Sequence, residues 1–110
     1  MRRPHTFHPQ TIAAAQLLGL EVARVRRERR WTSNDLADRA GISPVTLRKI
    51  ERGDPTVELG SAFEVATLLG IVLFAPDRKE LSTMVEHART RLALLPARVR
   101  ESAGRDHDAF

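Results

Sequence analysis

The chain of 110 residues contains no cysteine and no tyrosine. The first absence excludes a disulfide framework, thiolate metal sites and cysteine nucleophiles, and it suits a reducing compartment such as the cytoplasm. Aromatic side chains are scarce, with four Phe and one Trp, so the core must be filled with Leu, Ile, Val and Ala. No apolar run approaches the roughly 20 residues that span a bilayer. The opening stretch, with basic residues before a mildly apolar segment, predicts no cleavable leader, because Gln16 and Glu21 interrupt that segment. Gly-rich phosphate loops, G-x-S-x-G elbows and spaced metal motifs are also missing, which leaves catalysis without candidate machinery and predicts neither enzyme activity nor a cofactor. His5 and His8 are three apart but have no acidic third ligand nearby; His87 and His107 read as surface residues.

What is present is one domain's worth of chain with an uneven charge. Residues 1–53 carry eleven Arg or Lys against five acids, a net of +6, whereas residues 54–110 carry seven against nine, a net of −2. A polyanion would approach the first half. Taken alone, Arg24, Arg26, Arg27, Arg29 and Arg30 would read as the solvated face of a helix.

Hydrophobic spacing and punctuation predict five helices. Residues 1–9 form a loose arm with two Pro and two His. Ile12, Leu17, Leu18, Val22 and Val25 recur at helical spacing from Gln10 to Arg30. Thr32 with Asp35 three residues on approximates a capping box before a second helix, Ser33 to Ala40, which Gly41 stops. Ser43 caps and Pro44 opens a third helix, which runs to Arg52 and ends at Gly53. A fourth covers Leu59 to Leu69, burying Ala62, Phe63, Val65, Ala66 and Leu69, with Gly70 beyond. "IVLF", residues 71–74, is apolar and β-prone, and reads as either a buried linker or one strand; a lone strand would need a partner from a second copy of the chain. Beyond Pro76, Leu81, Met84, Val85, Ala88, Leu92 and Leu95 make an amphipathic helix that Pro96 stops. The domains expected are therefore an arm over 1–9, a helical domain over 10–76, an amphipathic helix over 77–96 and a polar, disordered tail over 97–110.

"WTSNDLADRAGISPVTLRKIERG", residues 31–53, has the length and turn chemistry of a helix-turn-helix. Leu36, Ala37, Ile42, Leu47 and Ile50 would be its buried members. In such a unit the second of the two helices enters the major groove and the first lies across the phosphates. Ser43, Pro44, Val45, Thr46, Arg48 and Lys49 are then the base-reading candidates. Arg48 and Lys49 can donate to guanine O6 and N7, and the apolar groups can meet thymine methyls. Ser33, Arg52 and the backbone at Gly53 are placed for phosphates.

Residues 18–71 resemble the Cro and lambda-repressor-like helix-turn-helix domain of the Xre family, in the succession "WTSNDLA", "AGIS", "TLRKIERG" and "LLGI". The resemblance implies an all-α fold, a lambda-repressor-like helix-turn-helix bundle with a short C-terminal strand and an extra amphipathic helix. It also implies an ion pair between Glu51 on the third helix and Arg26 on the first. Many members have Gln where Ser33 and Pro44 stand, so phosphate clamping at Ser33 is expected to be weaker and reading at Pro44 apolar. "GDPTVELGSAFEVATLLGIVLF" is similar to the corresponding stretch of HipB-type antitoxins, in which a short strand pairs with its twin across a homodimer. That resemblance implies a cytoplasmic, nucleoid-associated repressor of a palindromic double-stranded DNA operator, with a HipA-like kinase toxin as partner and the terminal Phe110 as part of the partner-binding tail. The alternative is a stand-alone Xre-type regulator. Either needs two recognition helices about 34 Å apart, hence a dimer. Ile71, Val72, Leu73 and Phe74 are the candidate dimer strand. Leu81, Val85, Ala88 and Leu92 would either join that interface or pack back on their own domain.

Overall fold

The computed structural model describes residues 6–99. Five helices follow one another: α1 (Pro9–Glu28), α2 (Ser33–Ala40), α3 (Pro44–Arg52), α4 (Leu59–Leu69) and α5 (Arg78–Ala93). The chain divides between residues 73 and 74 into two compact units, the first holding α1 to α4 and the second α5. No helix among the described residues is long and apolar enough to cross a membrane. The expectations that Phe110 binds a partner and that the arm begins at Met1 fall, wholly or in part, outside the described residues.

Local chemistry sets each boundary in the first unit. Of the arm expected over residues 1–9, Pro9 is the first residue of α1 and His8 is its cap, with Nδ1 accepting the Gln10 N–H at 3.0 Å. Thr32 and Asp35 close a full capping box, the Thr32 hydroxyl taking the Asp35 N–H and the Asp35 carboxylate taking the Thr32 N–H. The Thr32 backbone N–H, and after it the Thr32 side chain, hold the Asp35 carboxyl below the usual range. Ser43 caps α3 by accepting the Thr46 N–H. Left-handed glycines end α2, α3 and α4 at Gly41, Gly53 and Gly70. The α4 terminus is closed further by Arg29, whose guanidinium donates to the Leu68 and Leu69 carbonyl oxygens at 3.2 and 3.0 Å.

Val22, Leu36, Ala37, Leu47, Ile50, Val65 and Leu69 form one buried cluster, with Leu18, Val25, Trp31 and Ile42 packed at its edge. The stripe expected along α1 is therefore buried only in its C-terminal half. Ile12 and Leu17 are exposed, Leu17 to 63% because it lies on the side of α1 opposite Leu18, Val22 and Arg26. Phe63, expected in the core, is 38% exposed, since α4 turns the smaller Ala62 and Ala66 inward instead. No strand forms at residues 71–74 or elsewhere among the described residues. Among the described residues no strand is present to pair with such a backbone, and Val72, Leu73 and Phe74 lie in an irregular, exposed stretch.

α5 starts at Asp77, whose carboxylate accepts the Glu80 N–H at 2.8 Å, and it buries none of its residues. Leu81, Val85, Ala88 and Leu92 recur at spacings of four, three and four residues, which places them along one side of the helix. An isolated helix of this length is marginal in water, so the stripe is what a partner would have to cover.

Candidate nucleic-acid interface

The position of α3 is fixed from inside. Leu47 and Ile50 are buried, and Gly19 of α1 lets the two helices approach until their backbones nearly touch: a Cβ on Gly19 would lie 2.4 Å from the Ile50 carbonyl oxygen. Beside this crossing, Arg26 and Glu51 form a bidentate pair, Nε to Oε2 at 2.7 Å and Nη2 to Oε1 at 3.1 Å. The remaining guanidinium nitrogen, Nη1, donates to the Trp31 carbonyl oxygen at 3.0 Å. Arg26 is only 9% exposed, and its bonds to Glu51 raise its already high pKa, so the guanidinium keeps its charge despite its burial. Trp31 in turn lies under two cations, with the Arg39 and Arg29 guanidinium carbons 4.3 and 5.2 Å from its ring centre.

With its inner face so committed, α3 presents Pro44, Val45, Arg48, Lys49 and Arg52 outward, all exposed. Val45 is 52% exposed, an apolar side chain offered to the outside at the helix's first turn. Among the described residues Arg48, Lys49 and Arg52 form no ion pair. Asp54, the acid just past the helix, is instead bonded by the hydroxyl and N–H of Thr56, which chiefly hold its carboxyl below the usual range. Ser43 and Thr46 are partly spent on each other: the Ser43 hydroxyl donates to Thr46 Oγ1 at 3.0 Å while accepting the Thr46 N–H. Thr46 keeps its own hydroxyl proton for an outside acceptor.

At the start of α2 the capping box uses the N–H groups of Thr32 and Asp35 and leaves those of Ser33 and Asn34 without an acceptor in the described chain. Two free donors at a helix N-terminus suit a phosphate oxygen. Gly53 plays another part from the one its position suggests: it is buried against Gln16 of α1, and its N–H donates to the Ile50 carbonyl. Its neighbour Arg52 is the side chain that reaches solvent there. Ile71 packs at the edge of the core, while Phe74 is 69% exposed and Leu81 and Val85 are exposed on α5.

Sequence patterning marks the outer face of α3 but not what orients it. Gly19 sits mid-helix in an apolar stretch with no turn chemistry around it, and Trp31 reads as one more core aromatic. Only the partners in space, α3 for Gly19 and two arginines for Trp31, show what each does.

Residues 22–72, just under half of the chain, match the helix-turn-helix family. The matched segment starts inside α1 and ends just past α4, so it takes in the whole of the α2–α3 unit. The match supports a DNA-binding transcriptional regulator of the Xre type. No curated protein and no solved structure gives a significant match to the chain.

Proposed function

We propose that the chain is a sequence-specific DNA-binding repressor that acts as a homodimer on a two-fold operator. The observation that supports it is the outward face of α3, where Arg48 and Lys49 stand unpaired next to apolar Pro44 and Val45 on a helix whose opposite face is locked to α1. Cationic donors and small apolar groups on a short, rigid helix match what the major groove presents. Lys49→Ala is expected to weaken binding to a selected operator by about 1–3 kcal/mol and to relax base preference at one position. Competition binding against scrambled duplexes checks this; an equal loss on both would remove Lys49 from base reading.

The dimer reading rests on two things: a single recognition helix makes too few base contacts for an operator, and the apolar stripe of α5 is exposed. A narrower reading, the antitoxin of a type II pair that binds a HipA-like kinase toxin and represses its own operon, rests on the resemblance of residues 53–74 to HipB-type proteins. Coexpression with adjacent genes, followed by the mass of the purified species, tests both. A two-chain particle bearing a kinase supports the narrower reading, a bare dimer leaves the stand-alone regulator, and a monomer at micromolar concentration rejects the dimer.

A further inference from the structure

Five arginines stand between residues 24 and 30, and their partners separate them. Arg24 is paired with Glu21 and Glu28 at 2.7 and 2.8 Å. Arg26 belongs to Glu51, and Arg29 to the end of α4 and the Trp31 ring. Arg27 and Arg30 are exposed and have no acceptor among the described residues. Arg27 has a reason to be basic within the fold, since it lies in the last turn of α1, where a cation meets the negative end of the helix.

Arg30 has no such reason. Its backbone is left-handed, with φ of 61°, and it is the one described residue other than glycine in that region. The three other left-handed positions, each ending a helix, are Gly41, Gly53 and Gly70. A side chain there crowds the following carbonyl, so arginine is less stable than glycine at this turn. The neighbouring acids do not hold it: Glu28 is taken by Arg24, and Asp35 by the Thr32 N–H. An unpaired guanidinium thus belongs to the residue two positions before Thr32, the cap of α2, and the Ser33 and Asn34 N–H groups that follow have no acceptor in the described chain. In a bound helix-turn-helix, that helix crosses the phosphate backbone.

We propose that Arg30 is a phosphate contact to duplex DNA, lying outside the two helices of the motif and fixing the α1–α2 junction to the backbone beside the groove that α3 enters. The proposal rests on the DNA-binding reading above. Its forked donors can hold a phosphate in two bonds, which a lysine matches in charge but not in geometry. Because a backbone contact carries no sequence information, Arg30 raises affinity for every duplex alike, unlike Lys49.

The test uses the full chain with Arg30→Gly and Arg30→Lys, a mixed-sequence duplex of roughly 30 base pairs, and anisotropy titrations at about 50 and 200 mM salt. Arg30→Gly is expected to melt about 4 °C higher, as the left-handed turn is relieved, yet to bind more weakly at low salt. Its affinity should fall about 3.5-fold less than the wild type over that salt range, the loss of one released counterion. Arg30→Lys should keep the wild-type salt dependence. If Arg30→Gly gains stability with affinity and salt dependence unchanged, the contact does not exist, even where Lys49→Ala still relaxes base preference. If the wild type binds no duplex at all, the DNA-binding reading falls and this contact with it.

Discussion

Replacing Gly19 with alanine is expected to destabilise the first unit by about 3 kcal/mol, which chemical denaturation followed by circular dichroism would measure directly. Alanine is ordinarily the better helix former by about 1 kcal/mol, so the packing penalty must overcome that gain. It does so because of what the new methyl would meet: the Ile50 carbonyl oxygen at 2.4 Å, and the oxygen and carbon of the Glu51 carbonyl at 2.7 and 2.9 Å. All three are backbone atoms of α3, and no rotamer change can move them away. Only a separation of α1 from α3 relieves the overlap, and it would loosen the cluster around Val22, Leu47 and Ile50. Gly60 supplies the contrast within the same chain. It lies in the first turn of α4 with nothing within 4 Å of a built Cβ, so Gly60→Ala should be neutral or stabilising by less than about 1 kcal/mol. Equal stability of the two variants would show that the α1–α3 crossing is not as close as described.

The second large effect is expected at the ion pair. Glu51→Ala should cost about 3–5 kcal/mol, since it leaves the Arg26 guanidinium buried with only the Trp31 carbonyl as acceptor. A lysine or histidine in such a place could shed its proton; an arginine cannot, so the unpaired charge stays. Replacing both partners, as in Arg26→Met with Glu51→Leu, should recover much of the loss, because neither charge then has to be desolvated. A double-mutant cycle by urea denaturation separates the two outcomes; a double variant no more stable than Glu51→Ala alone would mean that the pair is a net stabiliser in its own right. Glu51 also supplies one of the carbonyls that face Gly19, so this variant and Gly19→Ala should not add. Both act on one joint, the seat of α3 on α1.

That joint divides what could be read from the sequence from what could not. Helix limits were legible because their determinants are local: Thr32 with Asp35, Ser43 with Pro44, and the glycines at 41, 53 and 70 act within four residues of themselves. The outer face of α3 followed from helical spacing, and the Arg26–Glu51 pair from the resemblance to the Xre family. Phe63 and Leu17 were misplaced because an apolar residue beside the buried stripe is not thereby part of it: the packed faces are set by Ala62 and Ala66 on α4 and by Leu18 and Val22 on α1. The strand at residues 71–74 was inferred from β propensity and from the resemblance to HipB-type antitoxins, neither of which supplies within the chain the second strand that hydrogen bonding requires.

Sequence by itself thus determined the helix order, the caps and the residues that α3 turns outward, all consequences of short-range backbone chemistry and a 3.6-residue repeat. Tertiary structure decided which charges are free. Of the five arginines from Arg24 to Arg30, Arg24 and Arg26 are paired with carboxylates and Arg29 is bonded to carbonyl oxygens 39 and 40 residues away, while Arg27 and Arg30 keep no acceptor among the described residues, Arg30 in a backbone conformation that disfavours it. Charge counted along a chain is a sum, whereas the field a ligand meets is what remains after folding has paired the charges in space.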